Sequence, residues 1–156
     1  MSEHKIALEW RRDTEDFQYA SYTRDHTIIY GNDARICASA APEYKGNADC
    51  FNPEEAFVTS LASCHMLTFL ALACKKRFVV DSYRDDAVGV LGKNPEGKPA
   101  VTKVVLKPVV TFSGENVPGD DDFAQLHDKA HDMCFIANAV ASCVEVVVEP
   151  VMKHSE

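Results

Sequence analysis

The residues with the widest chemical reach in this chain are its six cysteines, Cys37, Cys50, Cys64, Cys74, Cys134 and Cys143. A cysteine acts as nucleophile or metal ligand through its thiolate, and it can be oxidised stepwise or bridged. Their spacings of 13, 14, 10, 60 and 9 contain no Cys-x-x-Cys, so neither a zinc ribbon nor a thioredoxin-type motif fits. Two of them stand in distinctive contexts. Cys64 lies inside the apolar run Leu61-Ala62-Ser63-Cys64-His65-Met66-Leu67, and Cys134 ends an amphipathic segment in Ala130-His131-Asp132-Met133-Cys134-Phe135-Ile136-Ala137-Asn138. On residue type alone both read as small buried hydrophobes, since free cysteine is among the most buried side chains. His127 and His131 are spaced i, i+4 and could bind zinc with Cys134, but helical pairs of this kind are more often surface polar residues and no third ligand is evident. His65 beside Cys64 could suggest a Cys–His hydrolase, yet neighbours on a helix point about 100° apart and do not face each other.

The elements that must position these residues follow from hydrophobic period. Alternation predicts a strand over Ile6–Trp10, another near Phe17–Thr23, a third over Thr27–Tyr30, and a fourth over Ala34–Ser39 after the Gly31-Asn32-Asp33 turn. Together they make an antiparallel meander. Asn52-Pro53-Glu54-Glu55 then reads as a helix start: Asn52 caps, Pro53 suits the first turn, and Glu55 completes a capping-box pattern. A helix from Pro53 to about Arg77 carries its carboxylates at the positive end of the dipole and Lys75-Lys76-Arg77 at the negative end. Cys64 sits about three turns in. From Leu61 to Cys74 this helix is apolar nearly all round and needs burial on every side, which points to a dimer. Two longer strands, Tyr83–Leu91 and Thr102–Phe112, are expected around the turn Lys93-Asn94-Pro95-Glu96-Gly97-Lys98-Pro99. Asp120-Asp121-Asp122 opens a helix with Phe123, Leu126, Ala130, Met133 and Cys134 on its apolar stripe; a short helix Ile136–Ser142 and a strand Val144–Val148 close the chain. The order is α+β.

Length and composition set outer bounds. The 156 residues suit one domain over 1–156, and 46% hydrophobic with 26% charged residues is an ordinary globular mix. A net charge of −8 has the wrong sign for a nucleic-acid backbone or anionic lipid, so neither nucleic acid nor membrane is an expected partner. Leu61–Cys74 alone is short for a bilayer span and is interrupted by Ser63, His65 and Thr68. The first residues, Met1-Ser2-Glu3-His4-Lys5, introduce no charged-then-apolar signal segment, so the expectation is a cytoplasmic protein with its cysteines reduced.

Asn-Pro-Glu-Glu opening an apolar helix, a cysteine ten residues after Glu54, and a second cysteine seventy residues later resemble the osmotically inducible protein C / organic hydroperoxide resistance (OsmC/Ohr) family. The resemblance covers about Tyr22 to Val148, and the order of elements agrees. Phe135 departs from it, since many members place a proline straight after the second cysteine. What the resemblance implies is an OsmC-like fold: antiparallel sheets around long buried central helices in an interlocked homodimer whose sites are completed across the interface. It implies a two-cysteine peroxidase that reduces organic hydroperoxides to alcohols and is regenerated by an external dithiol reductant, with no cofactor. By position Cys64 matches the peroxidatic cysteine, Cys134 the resolving one, Arg24 the strand-borne arginine and Glu54 the carboxylate that holds it; Arg35 is the other arginine within reach of that alignment. The remaining cysteines Cys37, Cys50, Cys74 and Cys143 match no family role and read as structural or bystander thiols. Phe51, Phe57, Met66, Phe69 and Phe135 read as core, some of them able to line an apolar pocket beside Cys64.

Physical chemistry gives that quartet a logic. A thiol attacks an O–O bond as thiolate, while apolar burial favours the neutral thiol over it. A nearby arginine reverses this without losing its proton, and its planar fork can hold a peroxide oxygen. A buried guanidinium needs a carboxylate partner. Condensation of the resulting sulfenic acid with a second thiol stops further oxidation. Two other readings stand beside this one: a redox-sensing or ligand-binding protein that keeps the fold without turnover, and a zinc-binding protein using Cys134 and the helix histidines.

Overall fold

In the computed structural model, which describes residues 2–155, the expected N-terminal strands form β1 (Ile6–Glu9), β2 (His26–Tyr30) and β3 (Ala34–Ala38). They pair antiparallel in the order β1-β2-β3, with Ile6 opposite Tyr30 and Ile28 opposite Ile36. Gly31 and Asp33 take positive φ values of 55° and 63° in the β2–β3 turn, the conformation that glycine and aspartate tolerate best. The strand expected near Phe17–Thr23 does not form. Its backbone turns instead, with the Ser21 and Tyr22 amides donating to the Gln18 carbonyl, and its aromatic side chains gather on one another. Phe17 and Tyr22 lie 5.1 Å apart and Trp10 and Phe17 5.8 Å. Trp10 Nε1 ties the knot by donating to the Thr23 carbonyl at 2.9 Å. Aromatic packing and local turn bonds here outweigh the β propensity of the same residues.

These strands belong to the first of two compact units, Met1–Ala56; the second is Phe57–Glu156. The division falls inside α1 (Pro53–Lys75), a 23-residue helix. Its start is the expected capping box: Asn52 Oδ1 accepts from the Glu55 amide at 2.8 Å, and Glu55 Oε2 accepts from the Asn52 amide at 3.1 Å.

In the second unit, the two long strands expected from the sequence are each cut in two. The segments are β4 (Val79–Asp85), β5 (Val88–Lys93), β6 (Pro99–Leu106) and β7 (Pro108–Ser113). β4 pairs with β7 and β5 with β6, so the chain changes sheet at Asp86–Ala87 and again at Lys107. At that corner the Lys107 amide donates to Asp85 Oδ1 at 2.7 Å, and Pro108 has no amide with which to continue the ladder. The expected hairpin turn does form: Asn94 Oδ1 accepts from the Glu96 and Lys98 amides, and Gly97 has φ 79°. Each sheet ends with a parallel partner, β8 (Glu145–Val148) on β6 and β9 (Val151–His154) on β7, giving mixed rather than purely antiparallel sheets. β9 has no counterpart in the sequence reading.

α1 buries a stripe of Leu61, His65, Phe69 and Ala73, every fourth residue. The lower part enters a cluster with Val104, Leu106, Cys134 and Ala137; the upper part joins Val110, Phe112, Phe123, Leu126 and Ala130. By length and composition α1 as a whole could cross a membrane, which counting Leu61–Cys74 alone had understated, and only 22% of its most apolar window is buried within the chain. Leu67 on its open side is 61% exposed.

Candidate active site

Cys134 sits at a break between two helices, α2 (Asp120–Met133) and α3 (Phe135–Val140). The α2 stripe places Phe123, Leu126 and Ala130 inside as expected, while Met133 turns outward. Cys134 itself is extended (φ −74°, ψ 113°), closing α2 through its amide to the His131 carbonyl and opening α3 by accepting the Ala137 amide on its sulfur at 3.3 Å. The break therefore forms without a proline at the next position. Phe135 occupies the first helical position of α3, where proline would suit, and is 84% exposed. Asn138 braces the junction through Nδ2 to the Asp132 carbonyl at 2.9 Å.

This geometry brings the Cys134 sulfur into the cluster that holds Cys64, among Leu61, Phe57, Val58, Val104 and Leu106. Both cysteines are free thiols; Cys64 is half-buried and Cys134 is 1% exposed. The Cys134 thiol is pushed up from its ordinary value, first by burial and then by a hydrogen bond with Cys64, against a smaller opposing pull from the Ala137 amide. Cys134 is thus held as a neutral thiol in the same apolar cluster as Cys64.

Arg24 and Glu54 do not meet as an ion pair within the chain: none joins them among the described residues. Arg24 is gripped instead by main-chain carbonyls, Tyr22 through Nη1 and Tyr19 through Nη2, each at 2.5 Å. Its guanidinium lies over the Tyr22 and Tyr19 rings, 3.9 and 5.0 Å from their centroids. Glu54 is half-buried in the first turn of α1. Arg35 forms an exposed pair with Glu9 at 3.2 Å.

Two readings of the histidines are corrected. His127 is not a surface residue but 3% exposed, and His65 is equally buried. Their rings stack at an interplanar angle of 7°, with His65 Nε2 and His127 Nδ1 2.9 Å apart in a hydrogen bond. His127 also stacks on Phe69, at 4.3 Å between centroids, and meets Phe123 edge-on. His127, His131 and Cys134 do not converge as metal ligands; among the described residues the one such convergence is Asp25, Cys37 and Cys50. Nor are all six cysteines thiols: Cys37 and Cys50 form a disulfide. Neither the histidine pair nor the bridge was foreseen, and the only hint was residue type.

Burial holds both imidazoles neutral, His65 down to about 4 and His127 down to about 3, with the positive potential of His131 and His65 respectively as the lesser cause. The unfolded chain takes up these protons near pH 6.5 and the folded chain only well below it. Stability is therefore expected to be level above about pH 6.5 and to fall as the pH drops from there towards about 4. Urea titrations across that range check this, and His127→Phe, which keeps an aromatic ring against Phe69, should flatten the slope. An unchanged slope in His127→Phe would remove the pair as its source.

The comparisons with known proteins bear on the whole chain. The family model described as OsmC-like protein matches residues 46–149. An OsmC-like protein of unknown function from Vibrio cholerae is 47% identical over 97% of this chain and 100% of its own, with a TM-score of 0.92. An OsmC-like protein from Mycoplasma pneumoniae is 17% identical over 98% of this chain and 99% of its own, with a TM-score of 0.76. The organic hydroperoxide resistance protein OhrB of Bacillus subtilis is 17% identical over 96% and 98%, with a TM-score of 0.64. No curated protein matches the sequence.

Proposed function

We propose, for a chain that belongs to the OsmC-like protein family, that it is a thiol-dependent peroxidase reducing organic hydroperoxides to alcohols. The observation that carries this reading is the pair of free thiols, Cys64 and Cys134, inside one apolar cluster. Cys64 is the attacking thiolate: its sulfur takes the terminal peroxide oxygen, the O–O bond breaks, and the alcohol leaves after protonation. Cys134 then condenses with the Cys64 sulfenic acid, releasing water and closing a disulfide. An external dithiol restores both thiols by giving up two electrons and two protons. Arg24 is the cation of the site and Glu54 its carboxylate partner, brought together in a homodimer. The open apolar side of α1, with Leu67 exposed, supports that dimer. The fold of the Bacillus subtilis hydroperoxide resistance protein supports the activity.

One equivalent of an organic hydroperoxide should yield a Cys64–Cys134 bridge in peptide maps, distinct from the Cys37–Cys50 bridge already present. Absence of that new bridge, with peroxide consumed, would refute the two-cysteine cycle. The same apolar cluster predicts substrate preference. Burying an alkyl or aryl group gains roughly 25 cal/mol per Å² of apolar surface, a gain closed to hydrogen peroxide. Cumene hydroperoxide should accordingly show a kcat/KM at least about tenfold higher, which needs only about 1.4 kcal/mol; equal values would argue against substrate contact with the cluster.

A further inference from the structure

Cys37 on β3 and Cys50, just ahead of α1, are bridged with their Cα atoms 5.1 Å apart. The main chain beside them is fixed independently of the S–S bond. Phe51 donates its amide to the Cys37 carbonyl at 3.1 Å, Ser39 donates to the Phe51 carbonyl at 3.0 Å, and Ala38 bridges Phe51 in parallel fashion. Opening the disulfide therefore leaves the two sulfurs side by side.

A third group completes the cluster. An Asp25 carboxylate oxygen and the two sulfurs all lie within 4.8 Å of one another. That carboxylate is held in place: Asn47 Nδ2 donates to Oδ2 at 2.9 Å, and this bond, then one from Ser39, keeps the carboxyl below its usual range. Asn47 is positioned by its amide on Ser39 Oγ at 3.1 Å. The preceding residue must be Gly46, since a Cβ there would come 1.5 Å from the Ala40 carbonyl oxygen. Hydrogen-bonded carboxylates of this kind are what metal ligands rest on. Two thiolates with one carboxylate is a donor set that zinc accepts. On the solvent side, the exposed Cys37 lines a cavity of about 460 Å³ with Asp25, His26 and Arg11. This cavity gives reductant and metal a way in. Arg35 at its edge is already paired with Glu9, and Arg11 suits the excess negative charge of three anionic ligands on a dication.

We propose that Cys37, Cys50 and Asp25 form a redox-gated site for a zinc-type divalent cation, closed by the disulfide and opened by reduction. A dithiol reductant gives two electrons and two protons, becoming a disulfide, while Cys37 and Cys50 become thiols. The metal displaces both thiol protons and forms two metal–sulfur bonds and one metal–oxygen bond to Asp25, with water on the cavity side. At Zn–S distances of about 2.3 Å in a tetrahedral set, the sulfurs need to stand only about 3.8 Å apart. A two-electron oxidant re-forms the disulfide and expels the ion. The site shares no residue with Cys64 and Cys134, so it stands apart from the peroxidase reading.

The test uses the full chain, reduced with dithiothreitol, desalted without oxygen and titrated with Co²⁺ as a spectroscopic stand-in for Zn²⁺. One equivalent should bind with a near-ultraviolet thiolate-to-cobalt charge-transfer band that is absent before reduction and lost on adding diamide. Cys37→Ser and Cys50→Ser should abolish the band, and Asp25→Asn should weaken binding at least about tenfold. Cys64→Ser and Cys134→Ser should leave it intact. A reduced chain that shows no band, a band that survives Cys37→Ser, or one lost in Cys134→Ser would each overturn the site. If the serine variants do not fold, the wild type still decides: Zn²⁺ should protect Cys37 and Cys50 from alkylation in mapped peptides, and equal labelling with and without metal would sink the proposal.

Discussion

Cys64→Ser is expected to consume no organic hydroperoxide above the uncatalysed background when supplied with an excess of dithiol. The expectation rests on placement. Of the four free cysteines, Cys74 and Cys143 are exposed, and only Cys64 and Cys134 share an apolar cluster. Burial and the hydrogen bond with Cys64 hold the Cys134 thiol neutral, which suits a thiol that waits for a sulfenic acid rather than one that attacks a peroxide. Cys134→Ser should therefore behave differently, completing a single stoichiometric turnover and then accumulating sulfinic acid on Cys64 by mass spectrometry. Retained steady-state turnover in Cys64→Ser would refute the assignment. Turnover lost in Cys64→Ser but undiminished in Cys134→Ser would leave a one-cysteine peroxidase.

Arg24→Met carries the second large effect. If the Arg24 guanidinium serves Cys64, its loss removes both the charge that favours thiolate and the fork that holds the peroxide. Alkylation of Cys64 at neutral pH should slow by about tenfold for each 1.4 kcal/mol of lost thiolate stabilisation, and peroxide reduction should slow by more. Arg24→Lys should recover part of the alkylation rate and little of the turnover, because an ammonium lacks the planar fork. Glu54→Gln should resemble a milder Arg24 loss. Arg35→Met is the comparison, since Arg35 is engaged in an exposed pair with Glu9, a kind of pair worth at most about 1 kcal/mol. Activity lost in Arg35→Met and kept in Arg24→Met would move the catalytic cation to β3.

What could be read from the sequence was local. Asn52 and Glu55 are three residues apart, so their reciprocal bonds depend on nothing beyond one turn of chain, and both form. The inward faces of Phe123, Leu126 and Ala130 follow from helical period in the same way. The hidden features depend on distant partners. His127 looked like a surface residue because its hydrogen-bond partner lies 62 residues away on α1. Cys37 and Cys50 read only as structural or bystander thiols because it takes the pairing of β3 with the segment before α1 to bring their Cα atoms to 5.1 Å. The two long strands were drawn straight through the changes of sheet at Asp86 and Lys107, because which sheet each half joins depends on distant strand partners rather than on local period. Of the candidate site, the two thiols were legible from their contexts. The carbonyl grip on Arg24 was not, because Tyr19 and Tyr22 hold it through main-chain atoms that any residue would offer.

If the proposed two-cysteine cycle operates, the unequal exposure of Cys64 and Cys134 sets a direction for its regeneration. Once a Cys64–Cys134 bridge exists, an incoming thiolate must strike one sulfur in line with the other. Cys134 is enclosed on all sides at 1% exposure, whereas Cys64 is only half-buried. On the proposed cycle, attack would therefore fall on Cys64, the mixed disulfide would form there, and Cys134 would be the leaving group. The Ala137 amide, which already donates to the Cys134 sulfur, would then receive the charge on it. Oxidant and reductant would then meet the chain at the same sulfur, and an adduct on Cys64 would exclude the next peroxide until the second thiol of the reductant displaces Cys64 and closes the reductant's own disulfide.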